Sequence, residues 1–193
     1  MKMKFMAMFV AVSLLAGCQN APPDTQTPQL VFDTLPQISM NVARIEIVDG
    51  YQPPMKAPNV DHLFKQPPRD VARRVLEKQL VANGSNHTLR VIIEDASVIK
   101  KDLPVSQGFT GFFSNEESEE YISRVSLKFQ LIADDTADRV VADAFVLSER
   151  TQTLLEDSSP AERDMAFFTL DENIMQDLRK GIEGSVKRTF GWN

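Results

Sequence analysis

Cysteine is almost absent, with a single residue at position 18 of the 193-residue chain. One cysteine closes no internal disulfide and builds no multi-thiolate metal site. Histidine is nearly as scarce: a Ser-His-Asp site would have to use His62 or His87. His62 has no second histidine at ligand spacing and only Asp61 beside it. No serine sits in a Gly-x-Ser-x-Gly turn, and His-Glu-x-x-His, a phosphate-binding glycine loop and a dinucleotide fingerprint are all missing. Asp134, Asp135 and Asp138 fall short of a calcium loop, which needs Gly at its sixth and Glu at its twelfth position; a polar hairpin turn accounts for them. Glu94 and Asp95 are neighbours in a strand pattern and are expected on opposite faces. Glu116 and Glu117 lie in an aperiodic stretch with nothing to set their geometry. No catalytic residue, metal ligand or cofactor site is assigned, and the chain reads as a non-enzyme.

Long apolar runs are also lacking. The longest, Phe5 to Leu15, has 11 residues interrupted only by Ser13, well under the roughly 20 that cross a bilayer as a helix. Lys2 and Lys4 precede it, and small residues follow. A basic start, a short greasy core and a small-residue break describe a secretory leader. The break reads Leu15, Ala16, Gly17, Cys18, and this tetrapeptide resembles the lipobox of bacterial lipoproteins. The resemblance implies cleavage between Gly17 and Cys18, a diacylglyceryl group on the Cys18 sulfur and acylation of the new amino group. Each buried methylene contributes about 0.8 kcal/mol, so two or three chains anchor a protein effectively permanently. Gln19, rather than the Asp common in inner-membrane lipoproteins, implies the outer membrane of a two-membrane cell, with the domain facing the periplasm. In a single-membrane source the same anchor implies the cell membrane.

Cleavage of residues 1–17 leaves 176 residues, with 19 basic against 27 acidic side chains. This is the length of one domain. Its negative charge argues against nucleic acid, whose binding rests on neutralising phosphates. Residues 18–29 carry three prolines and almost nothing to bury, and read as a tether spanning about 30 Å when extended. Residues 30–193 form the folded domain.

Within it, Leu30 to Leu35 reads as a short edge strand, and Val42 to Val48 alternates as a strand with one wet side. A proline-rich crossover leads to Pro67-Pro68. There Val71, Ala72, Val75, Leu76 and Leu80 make a helical stripe, which Asn83-Gly84 ends in a left-handed stop. Arg69, Arg73, Arg74 and Lys78 lie largely off that stripe, either as a solvated face or as a docking patch for an acidic partner or lipid headgroups. Thr88 to Val98 resumes strand character. Tyr121 to Ile132 and Arg139 to Thr153 form an antiparallel hairpin. The second hairpin strand is apolar on both faces over Val140–Leu147, so it is expected away from a sheet edge or under a loop. Ser159-Pro160-Ala161-Glu162 is a capping box opening the last helix, with Leu170, Ile174, Leu178, Ile182, Val186 and Phe190 recurring every fourth position.

Strand, helix, three strands and helix give an α+β two-layer sandwich. Both helices cover one face of a mainly antiparallel four-stranded sheet. The element order resembles the lipopolysaccharide-assembly lipoprotein and the auxiliary lipoproteins of ABC-type transporters. This implies an accessory role toward an envelope protein partner in assembly or transport. A carrier or sensor of a lipid or small apolar ligand is the alternative, requiring an apolar cavity of roughly 300 Å³ or more. A periplasmic hydrolase is a third reading, requiring convergent titratable groups in a cleft. Between residues 106 and 120 neither periodicity holds. Phe109, Phe112 and Phe113 are interleaved there with Gly108 and Gly111, either folded over the sheet edge or presented as an aromatic contact for a partner.

Overall fold

The computed structural model describes residues 28–104, 116–134 and 139–192. Among these residues, six strands and one long and one medium helix follow in the order β1 (Ile38–Met40), β2 (Arg44–Asp49), α1 (Pro68–Gln79), β3 (Leu80–Ala82), β4 (Thr88–Asp102), β5 (Glu117–Ile132), β6 (Val140–Leu155) and α2 (Pro160–Gly181). The main sheet runs β2-β4-β5-β6. β2 lies parallel to β4, a pairing that needs a crossover and receives it from the segment carrying α1. β4–β5 and β5–β6 are antiparallel. The result is the expected α+β sandwich, with both helices packed against a mixed, mostly antiparallel sheet.

Hydrophobic alternation puts Leu89, Val91 and Ile93 of β4, and Val125, Leu127 and Phe129 of β5, under the helices, all fully buried. α1 adds Val71, Ala72, Val75 and Leu76; α2 and its extension add Ile174, Leu178, Ile182 and Val186. A smaller cluster of Val60, Phe64, Val98, Tyr121, Leu154, Phe167 and Leu170 closes the other end of the sheet. A bulge between Ile93 and Asp95 carries the inward phase of β4 from odd to even positions, so that Ala96 and Val98 are buried as well. The same bulge corrects the expectation for the two carboxylates. Glu94 accepts from Ser126 Oγ at 3.5 Å, and Asp95 lies 3.7 Å from Arg124, both outward positions of β5. The two acids therefore share a face.

Other local expectations shift for identifiable reasons. Leu30 to Leu35 forms no strand; Leu30 and Phe32 are buried in a turn-containing segment, and the edge strand lies later, at β1. α1 ends at Gln79, because Leu80 takes an extended conformation and enters β3, which pairs in parallel with β1. Gly84 serves close approach rather than a left-handed stop: a Cβ there would sit 2.6 Å from the backbone of Asn41 and Val42. β5 begins at Glu117, inside the stretch that looked aperiodic. Ile92 lies in register with Val48 of β2 and Lys128 of β5.

The capping box forms as expected: Ser159 Oγ accepts from the Glu162 backbone N–H, and the Glu162 carboxylate accepts from the Ser159 N–H. Thr169 caps nothing. Its hydroxyl donates to the Met165 carbonyl inside a continuous helix. A π turn at Ile182–Val186 then carries the helix on to Thr189. Gly181 lets α2 settle on β6, since a Cβ there would lie 2.5 Å from Val146 Cγ1. Alanine ordinarily stabilises a helix interior by about 0.5–1 kcal/mol over glycine. Gly181→Ala is nevertheless expected to lower stability by about 1–3 kcal/mol through overpacking. Thermal denaturation checks this, and Val146→Ala in the same chain should restore part of the loss.

Candidate functional site

The basic face of α1 forms part of an internal ion-pair system. Arg73 donates to Asp49 at the end of β2 (2.7 Å), and this hydrogen bond raises the arginine pKa. Arg69 lies 3.9 Å from the same carboxylate and 3.3 Å from Asp70. Lys78 pairs with Asp33 at 3.1 Å, and the Arg74 guanidinium stands 5.8 Å above the Phe32 ring. All four retain solvent exposure, but their charge is partly met from within the domain. Cys18, Phe109, Phe112 and Phe113 lie outside the described residues, as do Asp135 and Asp138. Asp134 accepts from the His87 N–H at 2.7 Å, tying the hairpin turn to the start of β4. Among the described residues no three His, Cys, Asp or Glu side chains are placed to hold a metal ion.

At the opposite end of the sheet, Glu119 collects Lys100 (2.7 Å), Tyr121 Oη (2.9 Å) and Arg163 from the first turns of α2. Burial would raise its pKa, but the donated hydrogen bonds outweigh it and bring the carboxyl to about 2. This network pins α2 to β4 and β5 near the end of β4 and the start of β5. Asp171 is the opposite case. Its side chain is buried in α2 with Oδ1 lacking a partner, and desolvation pushes it up to about 8. Neither Glu119 nor Asp171 lines the groove beside α2.

The surface that stands out is β6. It is an edge strand in the main sheet, against the expectation drawn from its two apolar faces. Its inner face, with Ala144, Val146 and Ser148, is sealed by α2, while Val141, Phe145 and Leu147 are 41, 57 and 57% exposed on the outer face. Two apolar faces suggested two covered faces, but the chain turns after Leu155 into α2 and covers only one. Lys128 on β5 lies 5.5 Å over the Phe145 ring and shields part of it. Elsewhere β5's outer face carries Ile122 and the polar Arg124, Ser126 and Gln130.

A second feature lies between α2 and the segment entering the domain. A groove of about 650 Å³ is lined by Leu30, Val31, Leu35, Phe168 and Met175, with Glu172 between the last two on the same strip of the helix and Arg179 at its end. Gln176, Lys180 and Glu183 form its exposed rim on the next strip of the helix. Sequence reasoning missed it. Phe168 and Arg179 fall off the fourfold apolar stripe, and Leu30 and Leu35 had been assigned to a strand.

The two displaced carboxyls act in opposite directions on stability. Glu119 has a depressed folded pKa, so its contribution is present above about 4.5 and is lost as pH falls toward about 2. Asp171 has a raised folded pKa, so its contribution is present below about 3.8 and is lost as pH rises through about 8. Glu119→Gln is therefore expected to flatten the acid limb of a stability–pH curve. Asp171→Asn should raise the melting temperature at pH 8 more than at pH 4.

No protein-family model and no curated protein matches the chain in sequence. Among solved structures, it is similar to a protein from Xanthomonas campestris at 14% identity and TM-score 0.36, over 81% of this chain and 89% of that one. It is similar to a minor lipoprotein from Acinetobacter baumannii at 11% identity and TM-score 0.37, over 80% and 93%. It is also similar to the rare lipoprotein B from Shewanella oneidensis at 14% identity and TM-score 0.32, over 71% and 94%. Several of the solved structures that this chain resembles are thus bacterial lipoproteins by name. None of these three reaches a TM-score of 0.5, so the functional reading rests on this chain's own residues.

Proposed function

We propose that this chain is a lipid-anchored, non-enzymatic lipoprotein that serves as a binding or accessory component of an envelope assembly or transport complex. In this reading residues 1–17 are a leader, acylated Cys18 and residues 19–29 a membrane tether, and residues 30–193 one periplasmic domain. Gln19 favours the outer membrane. Among the described residues no helix is long and apolar enough to cross a bilayer, so attachment is assigned to the acyl chains.

The observation that carries the binding role is the outer face of β6. Its 16 residues form a sheet edge with an apolar strip around Phe145 and Leu147 and no proline. Natural edges of this length are usually blunted by charge, bulges or a covering element, and an open one is a template for strand addition. The occupant that fits is an extended segment of an envelope protein whose alternate apolar side chains meet Val141, Phe145 and Leu147. Phe109, Phe112 and Phe113 are proposed as a second contact, and Arg69, Arg73, Arg74 and Lys78 as a weaker acidic-partner patch.

Cys18→Ser is expected to move the protein from the membrane to the soluble fraction without changing its melting temperature; continued membrane association would count against the anchor. Phe145→Ser with Leu147→Ser removes exposed side chains, for which stability changes are about 0.5 kcal/mol or less. Cross-linking in native membranes should then recover the partner with at least about a tenfold loss, the scale of a central interface anchor. Unchanged recovery would remove β6 from the interface.

A further inference from the structure

We infer that the segment received by β6 carries a basic side chain at each end, in the pattern basic-x-apolar-x-apolar-x-basic, set opposite Asp143 to Glu149; this rests on the β6 reading and names the chemistry of its occupant. Residues two apart on a strand share a face. On the outer face of β6 the successive side chains from 143 to 149 are Asp143, Phe145, Leu147 and Glu149, all exposed. Two acids therefore bracket the two apolar side chains. The order is the same read from either end, so a parallel or an antiparallel strand can meet it.

Charge on this face is not balanced from within. Asp143 makes no hydrogen bond or ion pair among the described residues, and its neighbour across the β5–β6 pairing is the uncharged Gln130. Glu149 stands 3.7 Å from Arg124, but that guanidinium is shared with Asp95, also at 3.7 Å. Lys128 is occupied over the Phe145 ring. Arg139, ahead of the strand, is not free. Around Phe145 and Leu147, then, Glu94, Asp95, Asp143 and Glu149 outnumber Arg124 and Lys128. Opposite charges directly across a strand pair stabilise it and like charges weaken it. A basic side chain facing Asp143 and another facing Glu149 supply what is short.

The same pattern rejects a second copy of the chain. Antiparallel self-pairing that sets Phe145 against Leu147 also sets Asp143 against Glu149. Sterics point the same way, because α2 lies over β6, with Gly181 on Val146 and Asp177 on Ser148. A second copy would bring its own helix to about one strand spacing, roughly 4.8 Å, where packed helices need about 8–10 Å. A lone extended segment carries no such layer.

The test measures, by fluorescence anisotropy, the binding of labelled peptides to the purified full chain in a non-ionic detergent. The peptides are Lys-Thr-Val-Thr-Val-Thr-Lys, Glu-Thr-Val-Thr-Val-Thr-Glu and Lys-Thr-Thr-Val-Val-Thr-Lys. The last keeps charge and composition but breaks the alternation. The first is expected to bind about fivefold tighter than the second, the scale of two exposed ion pairs, and tighter than the third. Its affinity should fall as salt rises. Asp143→Asn with Glu149→Gln should erase the preference for lysine over glutamate, and Asp143→Lys with Glu149→Lys should reverse it; both positions are exposed, so the melting temperature should hardly move. Equal binding of the first two peptides overturns the inference. So does a lysine preference that neither double variant alters, or one that the third peptide shares in full. Absence of binding by every peptide also overturns it, and leaves the two acids as charges that keep the edge from pairing. None of these results decides partner recovery with Phe145→Ser and Leu147→Ser, so this inference and the β6 reading fail separately.

Discussion

The seating of α2 on the inner face of β6 is the constraint from which the remaining architecture follows. Gly181 permits the approach to Val146, and Asp177 fastens it by accepting from Ser148 Oγ and, through both carboxylate oxygens, from Arg150. The paired geometry with Arg150 holds the Asp177 carboxyl below its usual range. With the helix committed to one face, no other described strand pairs with the edge of β6, and its other face exposes Val141, Phe145 and Leu147. The exposure of Phe145 and Leu147 is thus a direct consequence of how the C-terminal helix docks.

The same docking positions the two ends of α2. At its start, Arg163 joins the Glu119–Lys100–Tyr121 network, and Phe167 stacks on Phe64 with ring centroids 4.0 Å apart while meeting Tyr121 edge-on at 4.9 Å. Farther along, Phe168, Met175 and Arg179 line a groove whose facing side is the segment around Leu30 and Leu35. A long helix packing against a sheet on one side and against a short irregular segment on the other leaves space beside the latter. That space is the groove.

Asp171 and the Gln79 amide, the latter with both atoms unpartnered, are buried polar groups, and the Tyr51 hydroxyl and Asp61 are buried close to one another. The basic side chains of α1 are spent largely on Asp49 and Asp33. Among the described residues the domain presents an apolar strip on the β6 strand edge and a groove of mixed apolar and charged lining beside α2, on a chain of net negative charge.

The element order, the helical stripe of α1, the hairpin and the capping box at Ser159 were legible because each is encoded by neighbours in the chain: a period of two, a period near four, a turn, or a side chain reaching its own helix end. Leu15 to Cys18 was legible in the same way, as a local chemical signal. The bulge at Glu94 was not, since it depends on how β4 registers with β5. The same was true of the end of α1 at Gln79, decided by β3 pairing with β1, a strand about 40 residues away. Two-sided apolarity in β6 was read correctly as pattern and wrongly as burial, because a pattern states which side chains gain by leaving water and not which faces the rest of the chain can reach. Local periodicity by itself determined the elements and their apolar faces; only tertiary packing, through the single covering helix, decided which of those faces remained open.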